Sequence, residues 1–389
     1  MRILHLVPTY LPATRYGGPI YSVHGLCKAL AARGHEVHVF TTNIDGLGVS
    51  SVPLAQPVDL EGVKVWYFPV GLGRRLYRSP AMAKALDEHA DGFDILHLHS
   101  VFLWPTTFAA RLARRRQIPY VLSPRGMLVS ELIARKNRLL KSAWIELFER
   151  ANIAGAATLH LTAPIEVVEL QKLRLAARRI DIIPNGVDMP PFEKARSSEA
   201  SRRAEPPRVL SLGRLNWKKG LDRLILAIAR VPQAELVIAG NDEENYRVRL
   251  EACARDAGVA ERVTFHGPVH GDAKWKLIRS CDLFVMPSYS ENFGIAALEA
   301  MACGRPVVVT PEVGLAQTVQ ATGAGVVAEG APEIFGRAIA ALLNAPAERW
   351  KMGGIGACIA RDQFSWSAIA AQMEAAYGAC VGERRSCCN

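Results

Sequence analysis

Short apolar runs alternate with amphipathic stretches along the whole of this chain. "RILHLV" (2–7) has the length of a buried strand. "PIYSVHGLCKALAARG" (19–34) carries apolar positions at helical spacing and stops at Gly34. "EVHVFTT", "VKVWYFPV", "DILHLHS" and "PYVLSP" follow as strands, each with a helix-like segment nearby. The pattern then restarts. "RVLSLGRL" (208–215) is a strand running into a loop, "GLDRLILAIARV" a helix and "AELVIAG" a strand. "EENYRVRLEACARDAG", "RVTFHGPV", "KWKLIRSC", "DLFVMPS", a helix over Glu291–Cys303 and "PVVVT" continue the alternation. Such alternation predicts parallel, doubly wound α/β sheets, here two Rossmann-like domains facing a cleft. Between the halves, "DIIPNGVDMPPFEKARSSEASRRAEPP" has the Pro, Ser and charge content of a linker. The expected boundaries are 1–185, 186–365 and a terminal helix within 366–389.

Composition narrows the class. A length of 389 residues suits two domains. Half the residues are hydrophobic and 22% charged, the balance of a soluble globular protein. No apolar run is long enough to span a bilayer, and the opening "MRILHLVPTYLP" reads as a first strand, not a secretory signal. These features predict a cytoplasmic protein. The eight cysteines form no CxxC pair and read as free thiols of a reducing compartment. Cys387 and Cys388 are expected in an exposed, unstructured tail. Charge is uneven: residues 1–185 hold 23 Lys+Arg against 14 Asp+Glu, whereas residues 186–389 hold 24 against 23. The basic first half implies an anionic partner, and without a recognition module nucleic acid is excluded.

Candidate chemistry gathers at the ends of strands. The turn after "DLFVMPS" leads to Glu291 and to Asn292, Phe293 and Gly294. A helix starting there would offer its amides to an anion. Further along that helix, Glu299 could accept hydrogen bonds from a vicinal diol. The plain alternative makes Glu291 a helix-start acid and Glu299 a salt-bridge partner. In "LGRLNWKKG", Arg214 and Lys219 bracket a turn and suit a diphosphate, or else lie on a solvated face. Gly17 and Gly18 form a loop able to approach a phosphate, or a simple turn. His99 ends "DILHLHS" with His97 on the same strand face, where a hydrogen-bonded structural histidine is the rival reading. Arg125, in "SPRGML", is a candidate acceptor contact or a structural ion pair. The basic, leucine-rich "RKNRLLKSAWIELFER" (135–150) either packs an amphipathic helix on the core or lies on an anionic membrane.

The ordered set E-x7-E (Glu291 to Glu299), "GRL…KKG", "IPNGVD", "DILHLHS" and "RYGGP" resembles the retaining GT-B glycosyltransferases of family 4. "SPRGML" is similar to the bacterial branch that builds exopolysaccharide or O-antigen repeats. The resemblance implies that Glu299 binds the ribose of a nucleotide-sugar donor, UDP- or GDP-linked. Glu291 with the amides of Asn292, Phe293 and Gly294 would hold the transferred sugar and phosphates. Arg214, Lys219, Gly17 and Gly18 would meet the diphosphate, and His99 would lie near sugar and acceptor. Arg125 would touch the acceptor, a saccharide or lipid-linked saccharide. It further implies retention of configuration, no cofactor and no metal, and a terminal helix that crosses back to the first domain. A nucleotide-sugar 2-epimerase and a catalytically silent sugar-nucleotide-binding subunit are the rival functions.

Overall fold

The computed structural model describes residues 1–14, 18–135, 138–191, 206–242 and 245–387. Strand and helix sort into two units, Met1–Gly186 with Trp366–Asn389, and Val187–Ser365.

The first unit is built on an eight-stranded sheet. Its strands are β1 (Arg2–Leu6), β2 (Glu36–Thr42), β5 (Pro57–Leu60), β6 (Val63–Phe68), β7 (Ile95–His99), β8 (Tyr120–Ser123), β9 (Thr158–Leu161) and β10 (Ile180–Ile182). Their order is β10-β9-β8-β7-β1-β2-β6-β5. All pairs are parallel except β5 with β6, and β3 (Ile44–Asp45) and β4 (Gly48–Val49) form a small antiparallel hairpin. The pure strand–helix alternation expected from sequence missed both features. β5 is an antiparallel edge strand that returns through a tight turn at Glu61–Gly62, both at positive φ.

Helices cover the two sheet faces. α2 (Pro80–His89) and α3 (Trp104–Arg116) bury Met82, Leu86, Ala109 and Ala113 on one. On the other, α1 (Gly18–Ala32) and the terminal α15 (Trp366–Cys387) bury Val23, Leu26, Ile369 and Met373. Each fully buried side chain of that size contributes about 1.5–3 kcal/mol, so α15 belongs energetically to this unit. Its first residue, Trp366, fits between Gly25 and Gly186, where a Cβ on either glycine would overlap the indole. The remaining helices are α4 (Ser130–Arg135), α5 (Arg138–Trp144), α6 (Arg150–Ala154) and α7 (Ile165–Lys172), with a π-helical turn over Ile145–Glu149. The tail is helical through Cys387, which corrects the unstructured end expected there. Cys388 lies outside the described residues.

The second unit is a six-stranded, wholly parallel sheet in the order β13-β12-β11-β14-β15-β16. The strands are β11 (Arg208–Leu212), β12 (Glu235–Ala239), β13 (Val263–Gly267), β14 (Leu283–Met286), β15 (Val307–Val309) and β16 (Gly325–Val327). Between them run α8 (Leu221–Ile228), α9 (Tyr246–Asp256), α10 (Gly271–Ser280), α11 (Ile295–Ala302) and α12 (Ala316–Thr322), and α13 (Pro332–Leu343) and α14 (Pro346–Phe364) follow β16. Strand order reverses between β11 and β14, so a crevice opens beyond their carboxyl ends. The same reversal falls between β1 and β7 in the first unit. Both reversals receive candidate residues: Arg214, Lys219 and Glu291 in one, His99 in the other. Among the described residues, no helix is long and apolar enough to cross a membrane.

Candidate active site

In the second unit, the loop after β11 and the turn after β14 meet. Asn216 caps a single turn of 3-10 helix by accepting from the Lys218 amide, and Gly220, at φ 61°, turns the chain into α8. The amide of Tyr289 returns a hydrogen bond to the Lys218 carbonyl at 2.7 Å. This brings the Lys219 ammonium onto the Glu291 carboxylate as a part-buried ion pair. A small pocket lies here, lined in part by Ser211, Gly213, Arg214, Lys219 and Ser288. Ser288 Oγ is buried with no partner among the described residues. Two basic groups, an unspent hydroxyl and glycine backbone suit an oxyanion-rich ligand. Ser211 and Ser288 had no signal of their own in the sequence, where a serine at a strand end is unremarkable.

The helix after Glu291 begins later than its sequence suggests. α11 starts at Ile295, preceded by Gly294 at φ 106°, where a Cβ would come within 2.8 Å of Val313 Cγ1. Glu291 lies instead in an extended bridge to Val313, and its amide is spent on the Glu312 carbonyl at 3.1 Å. Phe293 is buried beside Phe364, with ring centroids 6.1 Å apart, and anchors the segment. Asn292 lies between these two fixed residues.

Glu299 is met by a residue the sequence reading overlooked. Lys274 Nζ on α10 lies 2.6 Å from Glu299 Oε1 and 4.6 Å from the centroid of the Trp275 ring. Burial pushes the Glu299 carboxyl above its ordinary value, and Lys274 opposes that shift. Each glutamate of the E-x7-E pair is therefore engaged by a lysine. The plain salt-bridge reading describes Glu299, whereas Glu291 sits in an extended bridge ahead of α11 and is not a helix-start acid.

In the first unit, His99 is buried within a cluster of imidazoles. Burial holds His5 and His160 down to about 3 and drives His97 and His99 well below their ordinary value, so all four are neutral. A neutral imidazole has one donor and one acceptor, and the fixed ends of the network therefore set every proton. The Ile183 carbonyl only accepts, so His160 Nε2–H donates to it at 2.8 Å and His160 Nδ1 accepts from Ser123 Oγ at 2.7 Å. Ser123 Oγ must then accept from His97 Nε2–H, also at 2.7 Å. His97 Nδ1 consequently accepts from the Tyr377 hydroxyl at 2.6 Å.

A second branch starts at Arg125, which only donates. Its Nε meets His99 Nδ1 at 3.2 Å and its Nη1 meets Asn185 Oδ1 at 3.0 Å. His99 Nε2–H therefore points to His5 Nδ1, 3.0 Å away. His5 keeps its proton on Nε2, a buried atom with no partner among the described residues.

This arrangement gives His99 the hydrogen-bonded structural part that was the rival reading. Both ring nitrogens are committed, so its imidazole holds Arg125 in place and is not poised as an acid or base. The Nitrogens of His5, His97 and His99 lie within 4.8 Å of one another, a spacing that could hold a metal. Binding there would displace Arg125 from His99 and set a cation beside a guanidinium, so the hydrogen-bonded donor set fits a metal poorly. Arg125 has only neutral hydrogen-bond partners among the described residues, and burial pulls its guanidinium down to about 10. Arg125, Ser100 and Phe102 all adopt positive φ (54°, 73° and 60°), concentrating backbone strain beyond β7 and β8. Gly18 opens α1, and Gly17 lies outside the described residues.

Tyr377→Phe would leave His97 Nδ1 buried and unpaired. It should cost about 1–3 kcal/mol of stability in chemical denaturation. Unchanged stability would show that the chain of protons is assigned wrongly.

Comparison with known proteins agrees with this geometry. Residues 17–186 match the family described as Glycosyl transferase 4-like domain, and residues 193–356 match Glycosyl transferases group 1. Among solved structures, sucrose-phosphate synthase from Thermosynechococcus elongatus is similar at TM-score 0.77 and 25% identity, covering 97% of this chain and 98% of that one. The Anabaena protein HepE, in complex with UDP and glucose, has a TM-score of 0.75 at 20% identity, covering 97% and 99%. Two Rossmann-like domains with these neighbours define a glycosyltransferase of the GT-B fold. A D-inositol 3-phosphate glycosyltransferase of Paenarthrobacter aurescens is 30% identical, covering 95% of this chain and 94% of its own length. The chain belongs to the family 4 GT-B glycosyltransferases.

Proposed function

We propose that the protein is a retaining, metal-independent hexosyltransferase using a nucleotide diphosphate sugar, UDP- or GDP-linked. The observation that carries this is the pocket where Arg214, Lys219 and Ser288 converge beyond β11 and β14. On donor binding, the diphosphate draws Lys219 away from Glu291, and the released carboxylate accepts from hydroxyls of the hexose. Glu299 takes the ribose diol. As the bond from the anomeric carbon to the diphosphate oxygen breaks, Arg214 and Lys219 stabilise the charge left there. The acceptor oxygen bonds to the same face of that carbon, and its proton passes to the departing diphosphate. The two side-chain cations neutralise the leaving group, so no metal ion is required for that role.

The acceptor is a saccharide, and a polyprenyl-diphosphate-linked oligosaccharide of exopolysaccharide or O-antigen synthesis is the reading we favour. A phosphorylated polyol is the second, supported by the D-inositol 3-phosphate glycosyltransferases among the relatives. Either brings an anion to Arg125. The enzyme would work at the cytoplasmic face of a membrane. Leu139, Leu140 and Leu147 are 86%, 67% and 70% exposed, beside Arg138 and Lys141, so this face of α5 and the π-turn is not packed into the core. Leu139→Glu with Leu140→Glu should abolish flotation with phosphatidylglycerol vesicles; retained flotation would remove the membrane role.

Calorimetric titration with UDP, GDP, ADP and dTDP tests the donor reading. Binding of one nucleotide followed by hexose transfer supports it. Epimerisation of the free donor would favour a 2-epimerase, and binding without turnover a silent subunit. No binding at all would defeat the reading.

A further inference from the structure

Arg223, on the first turn of α8, takes no part in the chemistry above, yet its guanidinium is tightly enclosed. Nε donates to the Pro287 carbonyl at 2.6 Å, and Nη2 donates to the Ser288 carbonyl at 2.7 Å. The Tyr289 ring lies against one side, with Cζ 4.0 Å from its centroid. On the other side the guanidinium packs on Gly330, where a Cβ would overlap it. Gly330 itself needs no special φ, since it is absent from the positive-φ glycines. Its demand is steric: room for the guanidinium.

The two carbonyls held by Arg223 open the turn that ends in Glu291. The same turn donates its Tyr289 amide to the Lys218 carbonyl. Arg223 lies four residues after Lys219, just past the Gly220 turn, so one side chain links the segment carrying the lysine to the segment carrying its carboxylate partner. Thr310 Oγ1 also donates to the Ser288 carbonyl, at 2.7 Å, but it reaches the turn from beyond β15 and does not connect the two segments. Lysine could not replace this contact, because the two carbonyls are met by two nitrogens of a rigid fork and the flat faces are filled by a ring and a glycine.

We propose that Arg223 is a positioning residue that clamps the 287–291 turn to the 213–220 loop, holding Lys219 and Glu291 in register for the donor. It does so without touching the donor. The clamp rests on the donor reading for its consequence, though its geometry can be tested separately. A displaced turn would move the sugar- and diphosphate-facing groups together, and misplacement on the ångström scale costs up to about 100-fold in rate.

The test uses the full chain and three variants: Arg223→Lys, Arg223→Met and Gly330→Ala. The glycine variant leaves the arginine in place and removes only its seat. Amide exchange across residues 287–291 is measured by mass spectrometry, with β12 as an internal control. UDP and GDP are titrated separately by calorimetry. Exchange in the turn should rise about tenfold or more in all three variants, with β12 unchanged. Affinity for whichever nucleotide binds the unsubstituted chain should fall about tenfold. Unaltered exchange in Arg223→Lys and Gly330→Ala would overturn the proposal. Full nucleotide affinity in Arg223→Lys would also overturn it, showing that charge alone suffices. If the unsubstituted chain binds neither nucleotide, the donor reading fails, and the exchange readout alone decides whether the clamp exists.

Discussion

Lys219→Ala should lower the rate of hexose transfer by about 10²–10³-fold, the usual cost of losing one group aimed at developing transition-state charge. The expected effect on stability is much smaller. The Lys219–Glu291 pair is only part-buried, and pairs open to solvent contribute about 0–1 kcal/mol. For a unit of this size that corresponds to a few degrees in Tm at most. Single-turnover kinetics beside a melting curve separates the two roles. A large fall in Tm with proportionate loss of activity would make the lysine structural. Glu291→Gln sharpens the test, because it keeps an acceptor for sugar hydroxyls while removing the charge that holds Lys219 when no donor is bound. Donor affinity should then be retained or slightly increased, since Lys219 no longer has to leave a carboxylate.

The second large effect concerns Glu299. Glu299→Ala should weaken nucleotide binding by about 10–100-fold, in line with hydrogen bonds to a charged group worth about 1.5–3 kcal/mol. It also strands Lys274. This pair too is part-buried, and leaving Lys274 without its carboxylate costs stability as well, so a simple loss of binding could be confused with misfolding. Lys274→Met separates them. It leaves the proposed ribose contact in place but removes the group that opposes the upward shift of Glu299.

The pH dependence then has a definite sign. A carboxyl whose folded pKa is raised contributes stability that is fully present below its unfolded value and is lost as pH rises through the folded pKa. Removing Lys274 raises the folded value further. As pH rises from the ordinary carboxyl value of 4.5 through the raised folded value, the variant should therefore lose more stability than the parent chain. A parallel pair of Tm–pH curves would show that Lys274 and Glu299 are not coupled in solution.

The sheets and the placement of the candidate residues were legible because they follow from local pattern. Alternating strand and helix specify parallel sheets, and residues after strand ends fall at the reversal of strand order. Lys274 was not legible. It flanks Trp275 opposite Lys276, and nothing local distinguishes the lysine that turns inward to Glu299. Arg223 looked like any charged position on an amphipathic helix. The hydrogen-bonded surroundings of His99 were not legible for a related reason. "ILHLH" shows two polar residues in a buried strand, but their partners His5, Ser123, Arg125 and Tyr377 come from three other segments. The antiparallel β5 failed differently, because a short edge strand leaves too little periodicity to fix its direction.

The division of the chain also sets an order of events on the ribosome. The first unit needs Ile369, Met373 and Tyr377 for one face of its sheet, yet these residues are made only after all of Val187–Ser365. At about 5–20 residues per second, that face waits on the order of tens of seconds. The second unit is contiguous and can fold as it emerges. The first must remain part-open until the last helix is released, with His97 lacking its phenolic partner. Nascent-chain surveillance would therefore find its exposed apolar surface here, and a premature stop after Ser365 would leave a finished second unit attached to an unfinished first.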